Sequence, residues 1–193
     1  MKDTHLQALE ELTLNARETF AEIRSDDLKK CVTAIRGARK VFVFGVGHSG
    51  MFGRVLSMKL CHVGLEAYTV FDEINPPFER GDLLVAISQS GETETVLALA
   101  RKAKKLGGKV LSVVSNPQST LGGLSDVVLN VKKISETIDF PCLGAIGDKK
   151  NQNFLGMVFA LNIYILFYVL VIMLALELGE SADSINRRHA NLQ

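Results

Sequence analysis

Residues 45 to 50 read Gly-Val-Gly-His-Ser-Gly and follow the apolar run Val41–Phe44 directly. Glycines in such a turn permit positive φ and bring the main chain close to an anion, and the first N–H groups of a following helix point at that anion. Ser49 adds a hydroxyl donor, and His48 adds an imidazole, the side chain that exchanges protons near neutral pH. The spacing G-x-G-x-x-G also fits a dinucleotide site, and Asp72 stands where such a site needs a carboxylate for the ribose hydroxyls.

A second stretch separates the two ligands. Residues 88 to 93, Ser-Gln-Ser-Gly-Glu-Thr, follow the run Leu83–Ile87. Ser88, Ser90 and Thr93 set three hydroxyls beside Gly91 at the start of another helix, a cradle for a small phosphate that needs no second nucleotide half. Two such turns in a short chain suit one sugar phosphate better than a dinucleotide. Gly47, Ser49, Ser88, Ser90, Gly91, Thr93 and Asp72 are the candidate ligand-holding residues, and His48 and Glu92 the candidate proton carriers nearest to them. His62, inside a helix, reads as structural, and His5 lies on an exposed first helix.

The elements that must position these turns alternate in type. Apolar runs at Val41–Val46, Glu66–Val70, Leu83–Ile87, Lys109–Ser115 and Val127–Val131 are separated by helical stretches at Met51–Val63, Glu94–Leu106 and Thr120–Leu124. This predicts an α/β domain: a five-stranded parallel sheet with helices on both faces, its ligand outside the carboxyl ends of the strands. Leu6, Leu9, Leu12, Ala16, Phe20 and Ile23 mark an amphipathic helix over residues 3–24, and a second helix runs from Asp26 to Gly37. Residues 132–153 read as a long loop. The 23 residues Phe154–Leu176 carry no charge and are long enough to cross a bilayer, yet Asn162 and the α/β pattern before them favour a helix buried between the sheet and a partner subunit. The organisation expected is one domain over 1–193: N-terminal helices (1–37), a βαβ core (40–131), and a C-terminal helix and tail (154–193).

Bulk properties narrow the classes further. With 22 Lys+Arg against 21 Asp+Glu the chain lacks the basic surplus of a nucleic-acid binder. Cys31, Cys61 and Cys142 form no C-x-x-C pair, which points to buried reduced thiols rather than a zinc site. The acidic, non-apolar N-terminus lacks a secretory pattern, so the expected location is the cytoplasm.

The pair G-x-G-x-S-G and S-x-S-G-E-T resembles the sugar isomerase (SIS) domain. The intervening DEINPPFERGDLLVAIS and the ending RRHANL are similar to the 6-phospho-3-hexuloisomerases within it. The resemblance implies a flavodoxin-like SIS fold and a homotetramer. It also implies interconversion of 3-hexulose 6-phosphate with fructose 6-phosphate through an enediol, without metal or other cofactor. It assigns the phosphate to Ser49, Ser88, Ser90 and Thr93, and an acid–base role to His189, in its own or a neighbouring site. Four positions depart from that family: His48 replaces the usual arginine, Phe71-Asp72 the usual Gly-Glu, and Ala160 falls on the active-site glutamate. A binding protein without turnover, or an isomerase of another sugar phosphate such as arabinose 5-phosphate, are the alternatives.

Overall fold

The computed structural model describes residues 4–132 and 152–191, with side chains from Met157 onward in the second segment. Two helices, α1 (Thr4–Ala21) and α2 (Ser25–Arg36), precede the sheet. Strands β1 (Val41–Gly45), β2 (Ala67–Thr69), β3 (Leu83–Ile87), β4 (Lys109–Val114) and β5 (Val127–Asn130) then alternate with α3 (His48–His62), α4 (Glu94–Lys105) and α5 (Thr120–Leu124). The chain continues through α6 (Gln152–Glu177) and the short α7 (Ala182–Arg187). All pairings are parallel and the strand order is β2-β1-β3-β4-β5, the flavodoxin-like order. The segment 133–151, most of the expected loop, lies outside the described residues, as does Cys142.

Alternation along the strands divides the core in two. Val41, Val43, Val85 and Ile87 face α2, α3 and α6, whereas Phe42, Phe44, Leu84 and Ala86 face α4 and α5. Because both faces are covered, the strands are apolar at nearly every position. Two of the expected boundaries that move have a local cause. The helix expected from Met51 begins at His48, because Gly47 at φ 60° turns the chain straight from β1 into α3. The edge strand β2 shrinks to the three residues that find partners on β1.

Within α6, Met157–Glu177 is long and apolar enough to cross a membrane, and half of its most apolar stretch is buried in the protein. Asn162 is fully buried: its amide donates to Thr19 Oγ1 at 3.0 Å, and its carbonyl accepts from Asn15 Nδ2 at 3.4 Å. These bonds fix α1 on α6 at one register. Asn162→Ala is therefore expected to destabilise the fold by about 1–3 kcal/mol for each partner left unpaired, read as a lower urea midpoint, and Thr19→Val added to it should cost little more.

Of the cysteines, Cys31 is buried and its thiol pushed up to about 12 by burial, as a reduced inert thiol should be. Cys61 departs from the expectation. It lies exposed on the last turn of α3, where its thiol donates to Ala67 O at 3.3 Å.

Candidate functional site

β1 and β3 are neighbours, with Gly45 opposite Ile87. From β1 the chain turns through α3 to β2 on one side, and from β3 through α4 to β4 on the other. The crevice outside these two strand ends is the sheet's switch point, the place where ligands of such sheets bind. Both candidate turns open onto it.

In the first turn Gly45 and Gly50 touch backbone to backbone: a Cβ on Gly50 would stand 2.5 Å from Gly45 O. Gly47 is the N-cap of α3 and gives no side-chain cap, so the leading N–H groups of α3 are left without a side-chain cap. Ser49 is half-buried and His48 exposed.

The second turn is built by its own hydroxyls. Ser88 Oγ shares a hydrogen bond with Thr93 Oγ1 at 2.9 Å and accepts from Gly91 N at 3.1 Å, while Ser90 Oγ accepts from Glu92 N at 3.2 Å. Gly91 holds φ 71°. Thr93 is the N-cap of α4, yet its hydroxyl turns to Ser88 rather than to the helix, so α4 also presents an N-terminus with no side-chain cap. Two helix dipoles thus meet at one crevice, each favouring negative charge.

The proton carriers are placed unequally. Glu92 Oε1 accepts from Thr120 N at 2.8 Å, and that backbone bond holds the carboxyl below the usual carboxylate range. Glu92 therefore ties the turn to α5 as a carboxylate. His48, the first residue of α3, stacks loosely over Phe52 with ring centroids 6.5 Å apart, and Phe52 in turn meets Tyr164 of α6 at 4.9 Å. Ala160, one turn before Tyr164, is 3% exposed and supplies no carboxylate. Asp72 pairs at the surface with Arg54 of α3 at 3.3 Å. Asp72, a candidate ligand-holding residue, is thus paired with a cation that the glycine motif alone does not point to, although Arg54 stands less than two turns after it.

His189 is not brought to the turns of its own chain. It stacks on His62 at the other end of α3, ring centroids 3.9 Å apart, about 20 Å from His48 along a helix of this length. Arg188 secures the tail there, donating to His62 O at 3.1 Å and to Glu180 at 2.7 Å. His62 is buried, and its Nδ1 has no hydrogen-bond partner among the described residues. Burial first, then the charges of His189 and Lys59, push its pKa below the ordinary histidine value. A base with a lowered folded pKa adds stability that is fully present above the unfolded value, near 6.5, and lost as pH falls towards the folded value. Urea midpoints should therefore fall as the pH drops below about 6.5, and His62→Leu should flatten that part of the profile.

Comparison with known proteins agrees with the fold. The SIS domain profile matches residues 34–161, which hold both turns. A curated 3-hexulose-6-phosphate isomerase of Methanocaldococcus jannaschii is 34% identical over 166 residues, covering 86% of this chain and 83% of its own. A crystal structure of a Methanococcus jannaschii protein, from which that same activity was inferred, superposes with a TM-score of 0.77 at 28% identity, over 98% of this chain and 99% of the other. The Vibrio vulnificus NanR protein complexed with ManNAc-6P superposes with a TM-score of 0.75 at 25% identity, over 97% of this chain and 67% of NanR. With the glycine turn, the hydroxyl turn and the five-stranded sheet all inside the matched fold, the chain belongs to the SIS domain family.

Proposed function

We propose that the protein is a phosphosugar isomerase that interconverts 3-hexulose 6-phosphate and fructose 6-phosphate. The observation that carries this reading is the meeting of two helix N-termini without side-chain caps, at Gly47 and Thr93, outside the neighbouring strands β1 and β3. Their N–H groups, with the hydroxyls of Ser49, Ser88, Ser90 and Thr93, hold the phosphate. The similarity to curated 3-hexulose-6-phosphate isomerases supports the substrate, and the ligand of NanR supports the sugar-phosphate class.

The reaction needs a base to take a proton beside the carbonyl and a donor to return one through an enediol. His48 is the carrier supplied by the same chain. His189 comes from a second copy, in a cytoplasmic homotetramer joined through the outer face of α6, where Met157, Ile172 and Leu176 are exposed. Neither metal nor cofactor takes part.

Ala160 favours a second reading, binding without turnover, since losing an acid–base group costs about 10²- to 10⁴-fold in rate. Incubation with 3-hexulose 6-phosphate, following fructose 6-phosphate, decides between them. Turnover is expected, with Ser88→Ala and Ser90→Ala each weakening fructose 6-phosphate binding about tenfold, the loss of one hydrogen bond to a charged group. Mixing His189→Ala and His48→Ala chains should restore activity if His189 acts across subunits. Binding without turnover in the parent protein would establish the second reading.

A further inference from the structure

The end of α4 farthest from the hydroxyl turn carries an unbalanced charge. Residues 101–109, Arg-Lys-Ala-Lys-Lys-Leu-Gly-Gly-Lys, hold five cations and no carboxylate in a chain whose formal net charge is only +1. The helix dipole accounts for about half an elementary charge at a C-terminus, and Asp126 pairs with Lys104 at 2.6 Å. Arg101, Lys102, Lys105 and Lys109 are exposed and have no ion-pair partner among the described residues. Arg101 and Lys102 stand four and three positions before Lys105, so these charges repel one another unless an anion faces them. Arg80 adds a further cation against Gly107, its Nε 3.5 Å from the place a Cβ would take there.

Beside these cations opens a cavity of about 170 Å³, between α4 and the segment that joins β2 to β3. Val70, Pro76, Phe78, Leu99 and Leu106 make its walls apolar, each of them partly accessible, and the stem of Lys102 completes the lining. The cavity is preformed. Asn75 pins the segment by donating to Thr69 O at 2.6 Å and to Val70 O at 2.9 Å, and the Phe78 ring packs so closely on Gly108 that a Cβ there would stand 2.3 Å from it. Its volume is below the roughly 300–1,000 Å³ of small-molecule sites. It suits one apolar side chain, the kind of anchor that dominates a protein interface.

We propose that this surface docks an acidic polypeptide segment, which inserts one apolar side chain into the cavity and sets its carboxylates against Arg101, Lys102 and Lys105. Charge complementarity selects the acidic partner. The apolar cavity selects a peptide over a nucleic acid, whose backbone offers charge without such an anchor. A bilayer is disfavoured, because Val96, Leu97, Ala100 and Ala103, the apolar face of α4, are already buried against the sheet and cannot enter lipid. The 12 residues of α4 span about 18 Å, so a segment held at this end leaves the crevice at Thr93 open.

Amide NMR titration of the full chain with a short peptide of aspartate and glutamate around one central phenylalanine tests the proposal. Saturable shifts are expected at Asn75, Phe78, Lys102 and Leu106. Affinity should fall at least tenfold in Lys102→Glu/Lys105→Glu, and as much when alanine replaces the phenylalanine of the peptide. An unchanged urea midpoint for the double variant separates this loss from unfolding. Absence of saturable shifts at these residues, shifts confined to the turns at Gly47–Gly50 and Ser88–Thr93, or equal binding of a peptide with lysine in place of its acidic residues would each overturn the proposal. Cosedimentation with phosphatidylserine vesicles, lost in the double variant and unaccompanied by peptide shifts, would assign the patch to membranes and overturn it as well.

Discussion

Gly91→Ala is expected to lower stability by about 2–5 kcal/mol and to remove sugar-phosphate binding in whatever protein remains folded. Two costs add. Gly91 holds φ 71°, a left-handed conformation that costs an L-residue about 1–2 kcal/mol. Its new Cβ would lie 2.0 Å from Ser119 Oγ and 2.4 Å from Ser119 Cβ, and overpacking of this kind costs about 1–3 kcal/mol. Ser119 cannot easily move aside, because its Oγ accepts from Gly122 N and caps α5. The damage falls on the turn itself, since Gly91 N also closes it by donating to Ser88 Oγ. Chemical denaturation and a fructose 6-phosphate titration provide the two readouts. The double variant Gly91→Ala/Ser119→Gly should recover the packing share but not the backbone share. Ser119→Ala should recover almost none, because it keeps the offending Cβ.

Lys40→Met is expected to be the most destabilising change away from the site, by about 3–5 kcal/mol, the usual result of stripping one partner from a buried ion pair. Lys40 and Asp82 immediately precede the adjacent strands β1 and β3, with side chains only 10% and 0% exposed. The ammonium reaches Pro77 O at 2.7 Å, Glu79 at 3.4 Å and Asp82 at 3.5 Å. Asp82 also accepts from Glu79 N at 2.8 Å, while its second oxygen is buried without a hydrogen-bond partner among the described residues. Methionine would leave that carboxylate charged and uncompensated. Lys40→Met/Asp82→Asn removes the charge but keeps the acceptor, so its urea midpoint should return most of the way to the parent value. If the double variant is no more stable than the single one, the loss comes from packing rather than charge.

The strands were legible because each is a short apolar run covered on both faces, and the order of helices between them dictates parallel pairing. Both turns were legible because they are local: glycine spacing and clustered hydroxyls act over six residues and need no distant partner. What the sequence hides is pairing across elements. Arg54 finds Asp72, Lys40 finds Asp82, and Asn162 finds Asn15 and Thr19 only once the helices are laid on the sheet. The site of His189 depends on the length of α6 and the angle of α7, neither of which leaves a periodic signal. Glu92 was read as a proton carrier from its place in the motif, whereas its bond to Thr120 N, 28 residues away, ties it to α5.

The place of α6 in the chain has a consequence for how the protein is made. Phe159, Ile163, Leu166, Phe167, Leu170 and Leu174 supply much of the cover for one face of the sheet, yet all five strands precede them. At about 5–20 residues per second, a ribosome finishes the last strand several seconds before the end of α6 is available. During that interval the apolar face of a nascent parallel sheet stands open. Chaperone dependence on the ribosome should therefore peak between the synthesis of Asn130 and Glu177, and truncations within that interval should aggregate rather than fold.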